Sequence, residues 1–141
     1  MTTKAEWTAL AERCEKATGP DREIDGDIAH AAKQFVDYLP RVPERPWLWA
    51  EFVEPDDWEC WEAPEYTASL YAIVALIGRG ELPAAWVWTL GQNIHHRTWG
   101  VSINNLDSDG VPYSVCWGAS SHSPALALCA AFCRAMSEKA A

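Results

Sequence analysis

Three short runs between residues 85 and 118 show the alternation of β-strands, at residues 85–91, 98–104 and 111–118. Each run places large apolar side chains at every second residue, as in a strand with one buried face. Asparagine, aspartate and glycine residues, which favour turns, separate the second run from the third. The runs therefore predict an antiparallel meander with one apolar face.

Helical periodicity surrounds these runs. Residues 4–17 carry Trp7, Leu10, Ala11 and Cys14 at the spacing of one apolar helix face, which predicts a first helix. Asp21 is placed to cap a second helix. Pro40 is expected to end this helix, and its buried stripe would consist of Ile24, Ile28, Ala31, Phe35 and Leu39.

Two further helices are predicted by their caps. Thr67 is a good N-cap for a third helix, which Gly78 and Gly80 would stop. The last helix is expected to begin at Ser121 or Ser123, with Pro124 in its first turn. Leu126, Cys129, Ala130, Cys133 and Met136 would then face the core.

The predicted fold is a single α+β domain over residues 1–141. A small antiparallel meander of three or four strands packs with helices, in the order α-α-(β)-α-β-β-β-α. Prolines and acidic residues interrupt the pattern at about residues 41–64, so this acidic, tryptophan-rich segment is expected to be a long surface loop. One short strand formed by Trp47, Leu48, Trp49 and Phe52 is its only predicted element.

The net charge of -9 argues against general binding to nucleic acids or anionic membranes, which requires a basic face. An anionic ligand would have to be met by a local basic pocket. No stretch approaches the roughly 20 apolar residues of a membrane span. The five cysteines are odd in number and irregularly spaced, and no secretory signal precedes them. We therefore expect reduced thiols and a cytoplasmic protein.

No motif predicts catalysis or a metal site. His95 and His96 lack converging ligands, and Asp107 and Asp109 lack the glutamate that would complete a calcium loop. The serines near His122 lack the glycine-flanked arrangement of a hydrolase nucleophile, and helix capping explains them. We expect a protein without enzymatic activity and without a cofactor.

The nine tryptophans are the compositional outlier, and two groups of residues are candidate sites. A planar ligand could stack on the sheet, at a site formed by Trp86, Trp88, Trp99, Trp117, His95, Arg97, Asn104 and Asn105. A protein partner could bind the acidic loop, through Glu51, Glu54, Asp56, Asp57, Trp58, Glu59, Trp61 and Glu62. For any single sheet tryptophan, packing under a helix is the simpler interpretation.

Three stretches carry a resemblance to a known family: CEKATGPDREIDGDIAHA, PEYTASLYAIVALI and SPALALCAAFCRAM. In this order they resemble small phage and prophage proteins that share the phage ABA sandwich domain. The resemblance implies helices layered on a small antiparallel sheet and a phage origin, and it implies no activity. It does not extend to residues 41–64, which are expected to be variable.

Two functions follow as hypotheses. The first is a non-enzymatic phage accessory protein that counters host defence by sequestering a small nucleotide-derived immune signal. The alternative is an acidic inhibitor that occupies the basic site of a host nuclease or defence effector. A structural or assembly role and a homo-oligomer both stay open.

Overall fold

The computed structural model describes the chain except at residues 55–56, 82–85, 94, 96–97, 107–111, 121 and 141. Within the strands, side chains are described at residues 41–42, 45–51, 59–62, 89–92, 98–104 and 120. The helices are α1 (Lys4–Lys16), α2 (Arg22–Ala31), α3 (Leu70–Leu76), which continues into a π-helical segment (Ile77–Glu81), and α4 (Pro124–Lys139). The strands are β1 (Arg41–Val42), β2 (Arg45–Glu54), β3 (Asp57–Glu62), β4 (Trp86–Asn93), β5 (Thr98–Leu106) and β6 (Pro112–Ser120).

The α+β prediction is confirmed, with helices packed against antiparallel sheets. In the described part of the chain the strands form two sheets of three, in the orders β1-β2-β3 and β4-β5-β6. The second sheet is the predicted meander, and each of its strands lies within two residues of its expected bounds. Among the side chains described in this sheet, Val101, Ile103 and Ser120 are buried, and Val101 and Ile103 pair with Leu90 and Trp88 of β4.

Helix α4 lies at the centre of the molecule, against α1 on one side and against β5 and β6 on the other. It is apolar around most of its circumference, which is typical of a helix buried on several sides. Trp7 of α1 meets Phe132 of α4 edge to face at 5.9 Å between ring centroids. As predicted, Pro124 opens the helix, and the Ser123 hydroxyl caps it by accepting a hydrogen bond from the Leu126 amide.

The predicted surface loop at residues 41–64 is wrong, because this segment forms the first sheet. Trp49 is buried, and Trp61 of β3 pairs with it directly across the strands. Pro43 and Pro46 do not interrupt the ladder between β2 and β3. Pro43 lies in the turn between β1 and β2, and Pro46 precedes Leu48, the first residue of β2 that pairs with β3.

The second helix is shorter than predicted, since α2 ends at Ala31 rather than near Leu39. Lys33 follows in the left-handed conformation with φ of 56°. The amide of Lys33 donates to the His30 carbonyl, and the amide of Gln34 donates to the Ala29 carbonyl. These two bonds form a Schellman cap, which turns the chain away from the helix. Leu39 is nevertheless buried.

A buried carboxylate joins α2 to the segment that precedes α3. Asp25 is 0% exposed, and its side chain accepts hydrogen bonds from the amide and the hydroxyl of Thr67 at 2.7 and 2.8 Å. Arg22 donates to the other carboxylate oxygen at 2.9 Å and to the Ala63 carbonyl at 2.8 Å. Burial raises the pKa of Asp25, although these hydrogen bonds lower it in part.

Thr67 is therefore not the cap of the third helix. Helix α3 begins three residues later, with Ser69 as its N-cap. The Thr67 hydroxyl instead accepts a hydrogen bond from the Asp21 amide at 2.8 Å, while the Asp21 carboxylate caps α2. One threonine thus fixes the first turn of α2 from outside the helix.

Gly26 allows β2 to pack directly on α2. A Cβ atom at this position would lie 2.2 Å from the Pro46 carbonyl oxygen and 2.8 Å from the Trp47 Cα. Both are backbone atoms, so no side-chain rotation could relieve the overlap. The first sheet is therefore held on α2 at a distance that only glycine permits.

We expect Gly26→Ala to destabilise the protein by about 3 kcal/mol or more, although alanine is the better helix former. Gly78→Ala is the matched control, because a Cβ at Gly78 meets nothing within 4 Å. Urea denaturation followed by circular dichroism measures both. Equal stability of the two variants would show that β2 does not pack on α2 closely enough to exclude a Cβ atom at position 26.

Candidate functional site

The predicted sheet site is only partly described. Trp99 is half-buried and packs against the core, Asn104 is half-buried and donates to the Ser102 hydroxyl at 3.4 Å, and His95 is exposed in a turn. Arg97 lies outside the described residues. The structure describes the backbone alone at the remaining predicted positions, Trp86, Trp88, Asn105 and Trp117.

The register separates two of the predicted sheet residues. Trp99 pairs with Gln92 and Ser120, whereas position 117 pairs with Ser102. Paired residues share a face of an antiparallel sheet, and successive residues alternate between faces. Positions 99 and 117 therefore belong to opposite faces, and a single stacking platform cannot include both.

The predicted acidic site lies on the β2–β3 hairpin. Glu51, Glu59 and Glu62 are exposed, and Glu51 pairs directly with Glu59. Trp61 packs on Trp49 at 5.3 Å between ring centroids, so it anchors the hairpin to the core rather than standing free for a partner. The structure describes the backbone alone at Glu54, Asp57 and Trp58, and Asp56 lies outside the described residues.

A groove between α1 and α2 was not predicted from the sequence. Its volume is about 760 Å³, and Lys33, Phe35 and Asp37, which follow α2 in the chain, are among the residues that line it. Arg13 lines it from α1, and His30, Lys33 and Phe35 line it from α2 and the turn that follows. The volume falls within the range of about 300–1,000 Å³ that small-molecule sites occupy.

Most of the acidic groups that line this groove are already engaged. Asp27 forms ion pairs with Arg13 and Arg41, each at 2.6 Å. Glu6 accepts hydrogen bonds from the amide and hydroxyl of Thr3, and these bonds lower the pKa of Glu6. In the described part of the chain, Lys33 has no carboxylate within ion-pair distance.

A stack of aromatic rings runs from the groove into the first sheet. His30 stacks on Phe35, and Phe35 stacks on Trp49, each at 5.5 Å between centroids. Trp49 then meets Trp61 edge to face. Phe35 therefore contacts a ring at His30 and another at Trp49, and it is half-buried. His30 is exposed at the groove end of the stack, where one face of its imidazole ring is covered by Phe35.

One feature of the sequence bears on this groove. The net negative charge indicates that an anionic ligand would need a local basic pocket. It did not reveal the position, because His30, Lys33 and Phe35 all fell inside the expected second helix. A helix that continued to Pro40 would place these residues along its length. The Schellman turn brings them to one end of the groove instead.

Three cysteines meet in the core. Cys14 of α1 lies near Cys129 and Cys133 of α4, and all three are buried. Burial raises the pKa of the Cys129 and Cys133 thiols well above the ordinary value. The four cysteines whose side chains are described, which include exposed Cys60, are free. Among the described residues, no group of histidines, cysteines and acids is arranged to hold a metal ion.

Comparison with protein-family models, curated proteins and solved structures finds no match for this chain. The resemblance to the phage ABA sandwich domain therefore stays a prediction from the sequence. None of the helices described has the length and apolar character needed to cross a membrane.

We expect Cys60 to react with iodoacetamide in the native protein at least about a hundredfold faster than Cys14, Cys129 and Cys133, which require unfolding to become accessible. Mass spectrometry of peptides after short labelling times measures each site. Cys60→Ser is the control, and it should leave the other three sites as slow as before. Rapid native labelling at Cys129 or Cys133 would contradict the buried position of α4.

Proposed function

We propose that this protein is a non-enzymatic binding protein that takes up a small nucleotide-derived ligand in the groove between α1 and α2. The observation that carries the proposal is the end of the aromatic stack at His30, exposed within a groove of ligand size. On the phage resemblance, its role is to sequester an immune signal in the host cytoplasm.

Stacking supports the nucleotide part of the proposal. Phe35 packs on the His30 ring, and Trp49 packs on Phe35, so the His30 ring is already part of a stack before a ligand arrives. A base on the outer face of His30 would extend this stack. Stacking of a base on an aromatic side chain contributes about 1–3 kcal/mol.

The charge distribution supports an anionic ligand. With a net charge of -9, the chain as a whole repels phosphates, so binding depends on local cations. Lys33 and Arg13 both line the groove. Arg41 shares Asp27 with Arg13, so this one carboxylate is paired with two guanidinium groups, and Lys33 has no carboxylate within ion-pair distance in the described part of the chain.

The polar groups of the groove support binding rather than catalysis. The Thr2 hydroxyl donates to the Ala31 carbonyl at 2.8 Å, and Glu6 is held in the α1 capping box. Asp27 is held by its two arginines. A nucleophile or general base needs a free lone pair directed at the substrate, and these three groups are already bonded to other groups of the protein.

We expect a cyclic dinucleotide, a cyclic trinucleotide or an ADP-ribose isomer to raise the melting temperature with the logarithm of its excess and to change tryptophan fluorescence. His30→Ala should weaken binding about tenfold by removing the stacking face. Tyr71→Ala is the matched control, because Tyr71 is an aromatic residue on α3 that is 84% exposed and does not line the groove. If none of these ligands shifts either signal, or if His30→Ala binds as tightly as the wild type, the proposal is wrong.

The opposed pair Glu51 and Glu59 favours a second candidate, an acidic inhibitor of a host nuclease or effector. Like charges directly opposite each other on paired strands destabilise a sheet by about 0.2–1 kcal/mol. An exposed pair of glutamates that is kept despite this loss of stability is suited to bind the basic site of a partner protein.

For this second candidate, the double variant Glu51→Gln with Glu59→Gln should be more stable by about 0.5 kcal/mol and should lose inhibition of purified host nucleases. The control is Glu12→Gln, which removes an exposed acid from α1. Charges also protect edge strands such as β3 from pairing with other chains. If the double variant aggregates but still inhibits, the two glutamates only protect β3 from pairing with other chains, and they do not bind the partner.

A further inference from the structure

We propose that Lys33 determines the ligand class of the groove by binding a phosphate group, and that the chain keeps a lysine at a backbone position suited to glycine for this purpose. The proposal rests on the proposed function, because it assigns the anionic part of the ligand to a particular residue. It also makes a claim about the backbone that is independent of any ligand.

The backbone of Lys33 adopts an unusual conformation just after the end of α2. Lys33 has φ of 56° and is the sole residue other than glycine with positive φ in the described chain. It occupies the position of the Schellman cap where glycine is most common, because a Cβ atom crowds the neighbouring carbonyl there. Lysine brings neither the small size of glycine nor the local hydrogen bonding of asparagine to this position.

The Lys33 side chain lies at the border of two cavities. Lys33 is exposed and lines the groove together with Arg13 and His30. It also lines an adjoining cavity of about 280 Å³ beside the C-terminal end of α4. Lys33 therefore lies where the two cavities adjoin, and its long side chain can reach a ligand in the larger cavity.

The neighbouring charges leave Lys33 available for an anion. Glu6 and Asp27 are the acids of α1 and α2 that line the groove, and both are bound by other groups. Asp37 also lines the groove, and none of the ion pairs between described residues joins Asp37 to Lys33. A phosphate would provide the ion pair that the described residues do not provide.

The arrangement fits a ligand with two parts. A planar ring stacks on the outer face of His30, and a phosphate lies toward Lys33, three residues further along the chain. Arg13 is held by Asp27 through a bond of 2.6 Å, so it contributes charge to the groove but has less freedom to move toward the ligand. Lys33 is the cation that can adapt its position to the phosphate.

A lysine near a helix C-terminus also interacts favourably with the helix dipole, and this would explain Lys33 without any ligand. Two variants separate the explanations. Lys33→Gly removes the ammonium and the backbone strain together. Lys33→Gln removes the ammonium but keeps a Cβ atom in the left-handed conformation.

The experiment uses AMP and adenosine as probes, since they share the ring and differ in the phosphate. We expect the wild type to bind AMP at least about tenfold more tightly than adenosine by isothermal titration calorimetry. Lys33→Gly and Lys33→Gln should both abolish this preference, while their adenosine affinity stays within about twofold of the wild type. Lys33→Arg should retain most of the preference for AMP.

Melting temperatures test the backbone part without a ligand. Lys33→Gly should melt about 2–5 °C above the wild type, because glycine adopts the left-handed conformation without strain. Lys33→Gln should not gain this stability. A Lys33→Gly variant that melts at or below the wild type would overturn the claim that lysine is kept at the expense of stability.

The outcomes also distinguish the two proposals. If neither AMP nor adenosine binds the wild type, the role of Lys33 toward a phosphate is overturned, whereas the proposed function is overturned only if the cyclic dinucleotide, the cyclic trinucleotide and the ADP-ribose isomers fail to bind as well. If both bind but Lys33→Gln keeps the tenfold preference for AMP, the groove is a ligand site and Lys33 is not its phosphate contact. If Lys33→Gly alone loses the preference, the turn conformation rather than the ammonium orients the ligand, and the assignment is again wrong.

Discussion

The buried carboxylate of Asp25 is the constraint on which the arrangement of this fold depends. A carboxylate without access to water must be fully hydrogen-bonded, and the partners of Asp25 come from two places, Arg22 on its own helix and Thr67 far along the chain. Removal of either partner would leave the buried carboxylate only partly compensated. The interaction therefore fixes the orientation of α2 relative to the segment between β3 and α3.

Both the groove and the hairpin follow from the position of α2. Gly26 presents a bare backbone to Pro46 and Trp47, so β2 lies directly on the helix. One turn later His30 stacks on Phe35, and Phe35 in turn covers Trp49. The same helix thus presents one side to the sheet and its C-terminal end to the groove. A change that moved α2 would alter both candidate surfaces together.

The sequence predicted the elements whose periodicity is undisturbed and failed where tertiary contacts replace local signals. Helices α1 and α4 and the strands β4 to β6 carry clear spacing and caps, and they occur as expected. Of the first sheet, the sequence predicted one short strand at residues 47–52, which lies within β2. The strands β1 and β3 were missed because the prolines and acids around them resemble a loop, and the pairing of Trp49 with Trp61 cannot be read from local pattern. The end of α2 was missed because lysine gives no signal for a left-handed turn. The groove depends on that turn, so it could not be predicted either.

The hydrogen bond between the Thr2 hydroxyl and the Ala31 carbonyl has a practical consequence for work with this protein. It holds the first two residues across the C-terminal end of α2, and Met1 borders both cavities there. An affinity tag joined ahead of Met1 would emerge at the mouth of the groove and would compete with a ligand for that space. The C-terminal end of α4 also borders the smaller cavity, through Lys139 and Ala140. A tag that is cleaved off before titration therefore suits this protein better than a permanent fusion at either terminus.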